Sequence, residues 1–333
     1  MASTATKAPK GKRILSGVQP SGELHVGNYF GAIRQFIELQ DANDTVYFLA
    51  DYHSLTSIRD ARERRAVTLD LALGFLAFGV DPKRSILYRQ SDVSEVHELA
   101  WCLSTVTPMS LLERSHAYKD KVAHGLPADH GLFAYPPLMA ADILIHRADL
   151  VPVGQDQKQH VEMTRDMAQK FNHVYGDVLT IPEPYIFESV AVVPGTDGKK
   201  MSKAYGNTVQ MFAPEKLLRK QVMGIVTDST PVADPKEPNQ PLFQIWNLVA
   251  SAEEREEMQQ VCERGGVGYG DVKKRLAARL LEFFAEARER HQDLASRPDE
   301  VEDILADGAQ RARDGAAPLM AAVREAAGVG PRS

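Results

Sequence analysis

The chain of 333 residues contains only two cysteines, Cys102 and Cys262, which lie far apart in the sequence. No Cys-x-x-Cys pair occurs, so the cysteines indicate neither a structural zinc site nor an iron–sulfur cluster. The chain also lacks any apolar run near the ~20 residues that span a bilayer, and its N-terminus has no apolar signal core. We therefore expect a cytoplasmic protein without a membrane-spanning segment.

A strong excess of one charge sign is also missing. The 45 acidic and 39 basic side chains give a net charge of −6, which excludes a protein coated in basic residues. A local RNA-binding face stays possible, because phosphate contacts need a patch and not a global excess. The apolar content of 44% and charged content of 25% are ordinary for a soluble globular protein. The length predicts about two domains.

No P-loop is present either, since nothing matches GxxxxGK followed by Ser or Thr. What the chain does have is a Gly/Pro/Ser-rich turn at 16–28, between a short apolar strand and an amphipathic helical pattern. Free N–H groups and the helix dipole make such a turn a phosphate site in α/β folds. Gly27 would allow a ring or phosphate to approach the backbone closely. An ordinary strand–helix turn is the alternative.

Strand and helix patterns alternate through the first two thirds of the chain. Strands are predicted near 14–15 and at 46–50, 85–88 and 150–153. The pattern predicts an α/β fold, a Rossmann-type parallel sheet with helices on both faces. After about Phe212 only helices are predicted, which indicates a C-terminal all-helical domain. These helices are expected at 214–224, 239–250, 253–263, 271–290 and 301–327.

We place the domain boundaries from these changes in character. Residues 1–13 form a disordered N-terminal arm, 14–212 the sheet domain and 213–330 the helical domain. The loop 194–207 leaves the sheet domain, and its glycines predict flexibility. Three lysines, Lys199, Lys200 and Lys203, add mobile positive charge. A plain exposed basic loop would have the same composition.

Two short motifs resemble the signatures of class I aminoacyl-tRNA synthetases. Residues 25–28 (HVGN) are similar to the HIGH signature, and residues 200–204 (KMSKA) to KMSKS. The stretches 17–22, 135–144 and 151–160 narrow the resemblance to tryptophanyl-tRNA synthetases of the bacterial type. The resemblance runs from about residue 14 to residue 330.

The sequence departs from these signatures at two positions. Asn28 replaces the second His of HIGH, which is usual in this family and favours the tryptophan branch over the tyrosine branch. Ala204 replaces the last Ser of KMSKS, which removes one hydroxyl but neither lysine.

The resemblance implies an enzyme that joins tryptophan to ATP and then to tRNA. Tryptophanyl-adenylate and pyrophosphate form first, and the tryptophanyl group then passes to tRNA(Trp), which releases AMP. Mg²⁺ would be bound with the phosphates of ATP. The helical domain would bind the anticodon, with a basic patch at Lys273, Lys274, Arg275 and Arg279. A homodimer is expected through the apolar segment 100–109.

The resemblance also assigns site residues. Catalysis is expected from Gln19, Asn28, Lys200 and Lys203. The ATP-binding set is Gln19, Pro20, Ser21, Gly27, Asn28, Gly154, Gln155, Asp156, Val193, Lys200, Met201, Ser202, Lys203 and Ala204. Within it, residues 154–156 would face the ribose and Val193 the adenine. The tryptophan-binding set is Gly17, His53, Tyr135, Met139, Asp142, Val153 and Gln157.

Asp142 is the specificity residue in this interpretation. It lies in an otherwise apolar helical segment, where an unpaired buried carboxylate is costly. Its partner would be the indole N–H, which can only donate. The alternative is an ion pair with a neighbour such as Arg147. Gln157 or His53 could contact the amino group of tryptophan.

Three other functions fit parts of the pattern. A tyrosyl-tRNA synthetase would share the fold and chemistry. A small-molecule adenylyltransferase would share the two signatures but would not need the helical domain. A non-catalytic paralogue that binds tryptophan or RNA would not need Lys200, Lys203 and Asp142 together.

Overall fold

The computed structural model describes residues 9–115, 118–119, 123, 129–154, 157–186 and 192–330. A five-stranded sheet with the order β3-β2-β1-β4-β5 lies at its centre, and every pair of neighbouring strands is parallel. The parallel α/β fold expected from the sequence is confirmed. The strands are β1 (Arg13–Val18), β2 (Asp44–Leu49), β3 (Ile86–Arg89), β4 (Leu150–Val153) and β5 (Glu183–Ile186).

Strand β5 was not expected from the sequence. It has only four residues, and Pro184 among them cannot donate a ladder hydrogen bond. The position of β5 explains how it accommodates the proline, because it pairs only with β4 at one edge of the sheet. Proline in a strand is confined to such edges.

In the described part of the chain, eight α-helices and one π-helical turn accompany the strands up to residue 175. Helix α1 continues through a π-helical turn, Tyr29–Ile33, into α2, and α4 ends at Gly79 in the left-handed region (φ 107°), where the sequence predicts its end. Short 3₁₀ turns occupy Gln90–Asp92 and Lys203–Tyr205. The α-helices are α1 (Val26–Asn28), α2 (Arg34–Gln40), α3 (Asp51–Ser54), α4 (Ala61–Phe78), α5 (Glu95–Val106), α6 (Met109–Leu112), α7 (His130–Leu144) and α8 (Lys158–Tyr175).

The sheet separates two hydrophobic cores. Along β2, Tyr47 and Leu49 enter one core while Val46 and Phe48 enter the other, as the two-residue period of a strand requires. Helices α2 and α4 cover the first face, and α5, α7 and α8 cover the second. Both faces of the sheet are therefore buried, which accounts for the nearly continuous apolar sequence of β2.

The described part of the region after residue 212 contains helices joined by turns and irregular segments, without a further strand. One expected helix, 271–290, is wrong in its continuity, because the chain breaks at Phe284 (φ −98°, ψ 9°) into two helices. The break places the ring of Phe284 5.1 Å from that of Tyr29 and 5.9 Å from that of Phe78. The helices are α9 (Glu215–Met223), α10 (Pro241–Val249), α11 (Ala252–Arg264), α12 (Tyr269–Phe283), α13 (Ala285–Ala295) and α14 (Pro298–Ala327).

The long helix α14 returns to the sheet and packs along β3. At Gly308 a Cβ atom would lie 1.8 Å from the carbonyl oxygen of Leu87, so only glycine permits this approach. Helix α14 supplies Val301 and Leu305 to the first core, and residues from Ala309 to Val323 to the second. It covers the edge of the sheet that β3 would otherwise expose.

The start of the described chain is held by hydrogen bonds. Gly11 donates to the carbonyl of Ala42 over 2.8 Å, and the amide of Asn43 donates to the carbonyl of Pro9 over 2.9 Å. Within the described ranges, no helix combines the length and the apolar character that crossing a membrane requires.

Candidate active site

A cavity of about 370 Å³ opens between β1 and β4, toward their carboxyl ends. The chain passes from β1 to β2 on one side and later to β4 on the other, so the strand order reverses at this point. Such switch points are where open α/β sheets bind ligands. The cavity is lined by Leu15, Ser16, Gly17, Gln19, Phe48, Ala50, His53, Thr56, Leu132, Tyr135, Met139, Asp142, Ile143, Val151, Pro152, Val153, Gln157, His160 and Val161.

Gly17 leaves room for an aromatic side chain beside the cavity. A Cβ atom at this position would lie 2.2 Å from the ring of Phe48. That ring in turn stacks on Tyr88 with 5.8 Å between centroids. A larger residue at position 17 would therefore displace Phe48, which also lines the cavity.

Asp142 is fully buried and lines the cavity. The amide nitrogen of Gln90 donates to both of its carboxylate oxygens over 2.9 Å, and Nε2 of His53 lies 2.9 Å from Oδ2. Burial raises the pKa of Asp142, while the contacts with His53 and Gln90 act in the opposite direction. The alternative pairing of Asp142 with Arg147 is wrong, because the carboxylate contacts His53 and Gln90 instead and Arg147 is exposed.

His53 therefore has a different neighbour from the one that the sequence suggested. Its Nε2 contacts the Asp142 carboxylate, where the sequence offered it as a partner for an amino group. The physical reason is that α3 starts directly after β2 and aims His53 at α7, which carries Asp142. His53 still lines the cavity.

The other expected tryptophan-binding residues surround the same space. Met139, Val153 and Gln157 line the cavity with Tyr135. The hydroxyl group of Tyr135 lies 2.9 Å from Oγ of Ser115 and 3.0 Å from Nε2 of His160. The structure thus brings all seven residues of the expected set to one cavity, with apolar walls and few polar groups.

The beginning of α1 forms the second part of the site. The side-chain oxygen of Asn28 accepts the backbone N–H of His25 over 3.0 Å, which caps the first helical turn. Burial, with a smaller contribution from Lys203, lowers the pKa of His25 to about 4. At Gly27 a Cβ atom would lie 3.0 Å from the imidazole of His25 and 3.4 Å from Cβ of Met201, so glycine permits close packing of the two signature segments.

Asn207 organises the loop 194–207. Its side-chain oxygen accepts the N–H of Ser202 over 2.8 Å. Its amide group donates to Oδ1 of Asp197 over 2.6 Å and to the carbonyl of Lys200 over 3.1 Å. A Cβ atom at Gly195 would lie 2.3 Å from this side chain. The buried amide therefore holds the two ends of the lysine-rich segment together.

Lys203 connects this loop to the turn before α1. Its Nζ donates to the carbonyl of Gly22 over 2.6 Å and to Oγ of Ser21 over 3.3 Å. Burial lowers the pKa of Lys203. Lys200 and Ala204 are exposed, and the backbone N–H of Ala204 donates to Oγ of Ser202 over 3.3 Å. The two expected signature segments are thus in direct contact.

The remaining residues of the expected ATP set lie around this contact. Nε2 of Gln19 donates to Oγ of Ser57 over 3.1 Å, and Gly154 follows directly after β4. Val193 is buried, and its carbonyl accepts the N–H of Met201, whose side chain is part of the hydrophobic core. Pro20 is also buried. Gln155 and Asp156 lie outside the described residues.

Sequence reasoning missed two residues of this site. Gln90 contacts Asp142 from the end of β3, and Asn207 holds the lysine-rich loop. A polar residue directly after a buried strand was the available signal for Gln90, because strand ends form the ligand-binding edge. No comparable signal marks Asn207.

Comparison with known proteins agrees with this geometry. The family model for class I tRNA synthetases of the tryptophan and tyrosine group matches residues 8–285. A tryptophan–tRNA ligase of Fusobacterium nucleatum is 52% identical over 91% of this chain and 93% of its own length. One from Rhodopirellula baltica is 50% identical over 95% and 99%.

A solved structure gives the same relationship in three dimensions. The tryptophanyl-tRNA synthetase of Campylobacter jejuni in complex with ADP and tryptophan has a TM-score of 0.91 and 49% identity, and the match covers 95% of this chain and all of that one. Sequence and fold therefore lead to the same family: this chain belongs to the class I tRNA synthetases of the tryptophan and tyrosine group.

Proposed function

We infer that this protein activates L-tryptophan with ATP and transfers the tryptophanyl group to tRNA(Trp). The observation that carries the proposal is the buried carboxylate of Asp142 in an otherwise mostly apolar cavity. Lys203 contacts Gly22 in the turn that follows β1, a strand that also lines this cavity. An acceptor in an apolar pocket suits a flat ring that carries a single N–H donor. The relatives with about 50% identity are tryptophan–tRNA ligases, which supports the same substrate.

Tryptophan would bind with its indole ring between Met139, Val153 and Tyr135. The indole N–H would donate to Asp142. A substrate without a donor would bind less well, because the buried carboxylate would be left with one partner fewer. Gln157, at the open side of the cavity, would contact the amino group. The carboxylate of the substrate would then point toward Gln19 and the turn before α1.

Adenylate formation is an in-line displacement at phosphorus. A carboxylate oxygen of tryptophan forms a bond to the α-phosphorus of ATP, and the bond from that phosphorus to the bridging oxygen of pyrophosphate breaks. Such chemistry depends on positioning and on stabilisation of phosphate charge. Lys203 and Lys200 would supply two ammonium groups to the leaving pyrophosphate. The turn at residues 19–22 and α1 would hold the nucleotide.

The second step passes the tryptophanyl group to tRNA. A terminal ribose hydroxyl attacks the carbonyl carbon of the adenylate, and the bond from that carbon to the phosphate oxygen of AMP breaks. Mg²⁺ would be held by the phosphate oxygens of ATP. In the described part of the chain no cluster of three or more His, Cys, Asp or Glu side chains could serve as a metal cage, and Lys203, which contacts Gly22, would serve the phosphate end.

The helical domain at 213–330 would bind the anticodon while the sheet domain holds the acceptor end. The expected basic patch is partly compensated, since Lys274 pairs with Asp271, Arg275 with Glu257, and Arg279 with Glu254. Lys274 is the most exposed of these three cations. Charge reversal in Lys274→Glu should weaken tRNA binding and leave ATP–pyrophosphate exchange unchanged; equal loss of both would contradict this role.

A symmetric homodimer is the expected assembly. Trp101 on α5 is 73% exposed and Met109 at the start of α6 is 62% exposed, and both lie in the expected segment 100–109. Large apolar side chains of this kind are rarely left in solvent together. A two-fold axis would bury the patch of one protomer against the same patch of its partner.

ATP–pyrophosphate exchange with each of the twenty amino acids tests the function. We expect exchange with tryptophan and not with the others. Exchange that prefers tyrosine would replace the substrate assignment, and exchange without subsequent charging of tRNA would indicate a small-molecule adenylyltransferase. Absence of exchange with every amino acid would overturn the proposal.

A further inference from the structure

Gln90 has a buried side chain whose hydrogen-bonding groups all point to defined partners. Its Nε2 donates to Oδ1 and Oδ2 of Asp142, each over 2.9 Å. Its Oε1 accepts the backbone N–H of Tyr52 over 3.1 Å. The side chain thus lies between the start of α3 and the carboxylate that faces the cavity.

The contact with Tyr52 fixes the orientation of the Gln90 amide. A backbone N–H can only donate, so the atom of Gln90 nearest to it must be the oxygen. The nitrogen must therefore face Asp142, where it can only donate. Asp142 is held as an acceptor by this arrangement, and a flipped amide would place two acceptors against each other and leave the Tyr52 N–H without one.

A second hydrogen bond closes the arrangement in the opposite direction. The backbone N–H of Ser91 donates to Oδ1 of Asp51 over 2.9 Å. Asp51, the first residue of α3, thus binds the turn after β3, while that turn binds the start of α3 through Gln90. These two hydrogen bonds join the segments that follow β2 and β3 and restrain the Gln90 side chain.

We propose that Gln90 is a positioning residue for tryptophan specificity, because it holds the Asp142 carboxylate as an oriented acceptor for the indole N–H. The inference rests on the proposed function. Nε2 lies equally far from the two oxygens, so it fixes the direction in which the carboxylate points, and the contact of His53 at Oδ2 restrains its plane. His53 adds a donor at Oδ2, which leaves Oδ1 as the oxygen with fewer partners. Oδ1 is then the atom that receives the indole N–H.

The orientation of the Asp142 carboxylate matters only for substrates that carry an N–H donor. A substrate that lacks this donor gains nothing from an oriented acceptor, whereas tryptophan gains a charge-assisted hydrogen bond. Loss of Gln90 should therefore lower the preference for tryptophan over a donor-free analogue. A residue that merely supported the fold would affect both substrates alike.

The test compares tryptophan with the analogue in which sulfur replaces the indole N–H, 3-(benzothiophen-3-yl)alanine, in ATP–pyrophosphate exchange with the full-length chain. In Gln90→Met, which keeps the size and removes the donor, we expect kcat/KM for tryptophan to fall about ten- to a hundredfold, mainly through KM. The value for the analogue and the KM for ATP should stay unchanged. Gln90→Glu keeps the acceptor for Tyr52 and replaces the donor, so its loss should be at least as large.

Gln40→Met is the matched control for the removal of a buried glutamine. Gln40 is also buried, donates to the carbonyl of Gly79 over 2.8 Å and accepts the N–H of Asp81 over 3.0 Å, far from the cavity. Its replacement should lower stability and leave the preference between the two substrates at the wild-type value.

Each outcome decides the inference. A lower preference for tryptophan in either Gln90 variant, with an unchanged preference in Gln40→Met, supports it. Equal losses for both substrates, or no loss, would overturn it while wild-type exchange with tryptophan stands. A wild-type protein that does not activate tryptophan would overturn the proposed function itself, and the inference with it.

Discussion

Nζ of Lys203 lies 2.6 Å from the carbonyl oxygen of Gly22, 181 positions earlier in the chain. This contact joins the lysine-rich loop to the turn before α1 at the phosphate end of the candidate site. A neutral carbonyl is a weaker partner for an ammonium group than a phosphate. The contact is therefore one that Lys203 can exchange for a ligand, and it places the cation close to where pyrophosphate would leave.

Removal of this cation should strongly impair adenylate formation. In Lys203→Ala we expect kcat for exchange to fall by about 10²–10³, as when a positioned donor to a transition-state charge is lost. Ala204→Ser is the contrasting variant. Its position is exposed, and one neutral hydrogen bond changes a rate about tenfold at most. Equal activity of Lys203→Ala and wild type in pyrophosphate exchange would remove Lys203 from the mechanism.

Asp142→Asn should separate tryptophan binding from ATP binding. The substitution keeps the size but places a second amide against Gln90 and His53, so the acceptor for the indole N–H is lost or misdirected. We expect kcat/KM for tryptophan to fall by roughly 10²–10⁴, with little change in the KM for ATP. Steady-state exchange with each substrate varied in turn measures both. An unchanged KM and kcat for tryptophan would refute the role.

Asn207→Ala should release the lysine-rich loop without unfolding the protein. Three hydrogen bonds are lost, and we expect both slower adenylate formation and a stability cost of about 1–3 kcal/mol. Asn172→Ala is the matched control, because Asn172 holds the loop at 178–179 by three similar hydrogen bonds away from the site. Urea unfolding and pyrophosphate exchange, measured on both, should show similar stability losses and an activity loss in Asn207→Ala alone.

Trp101→Glu should dissociate the expected dimer. In a symmetric dimer through segment 100–109, a charge at this exposed position would be buried in both copies of the interface. Sedimentation at micromolar concentration should give the mass of a dimer for wild type and of a monomer for the variant. Val232→Glu, which changes a similarly exposed valine in the helical region, should leave the mass unchanged. A monomeric wild type with full charging activity would contradict the assembly.

Acid should destabilise the protein as two buried histidines become charged. Burial lowers the pKa of His25 to about 4 and that of His146 to about 3, below the 6.5 of an unfolded chain. The unfolded state thus binds more protons below pH 6.5, and stability falls as the pH is lowered from about 6.5 to about 4.

Each pKa unit corresponds to about 1.4 kcal/mol, so the total loss between pH 6.5 and pH 4 should be on the order of 7 kcal/mol. His146→Gln removes one titrating group and keeps an acceptor for the hydroxyl of Tyr88, which lies 2.8 Å from Nε2 of His146. Urea midpoints from pH 4 to 7 should show a smaller slope for this variant than for wild type. Equal slopes would exclude His146 as a contributor.

The sequence predicts four of the five strands, because these depend on local patterns of apolar residues. It does not predict β5, whose four residues carry a proline and are kept in the sheet by pairing with β4. The break at Phe284 has the same kind of origin, since aromatic rings from distant helices hold this side chain.

The site shows a similar division. Asp142 is identifiable because a carboxylate in an apolar helical pattern requires a partner. Which residues serve as partners depends on the order of the strands, which brings the ends of β2 and β3 next to each other. Gln90 and His53 reach Asp142 for that reason, from 52 and 89 positions away in the chain. The residues next to each of these positions in the sequence do not predict that the three side chains meet.

The close approach of Gly308 to Leu87 has a consequence for how the protein is made. Helix α14 closes both cores of a sheet whose first strand begins at Arg13. During synthesis, the apolar surface at β3 therefore stays open until the ribosome has added the residues up to Val323. The cores close only when α14 packs on β3, and until then this apolar surface is open to aggregation.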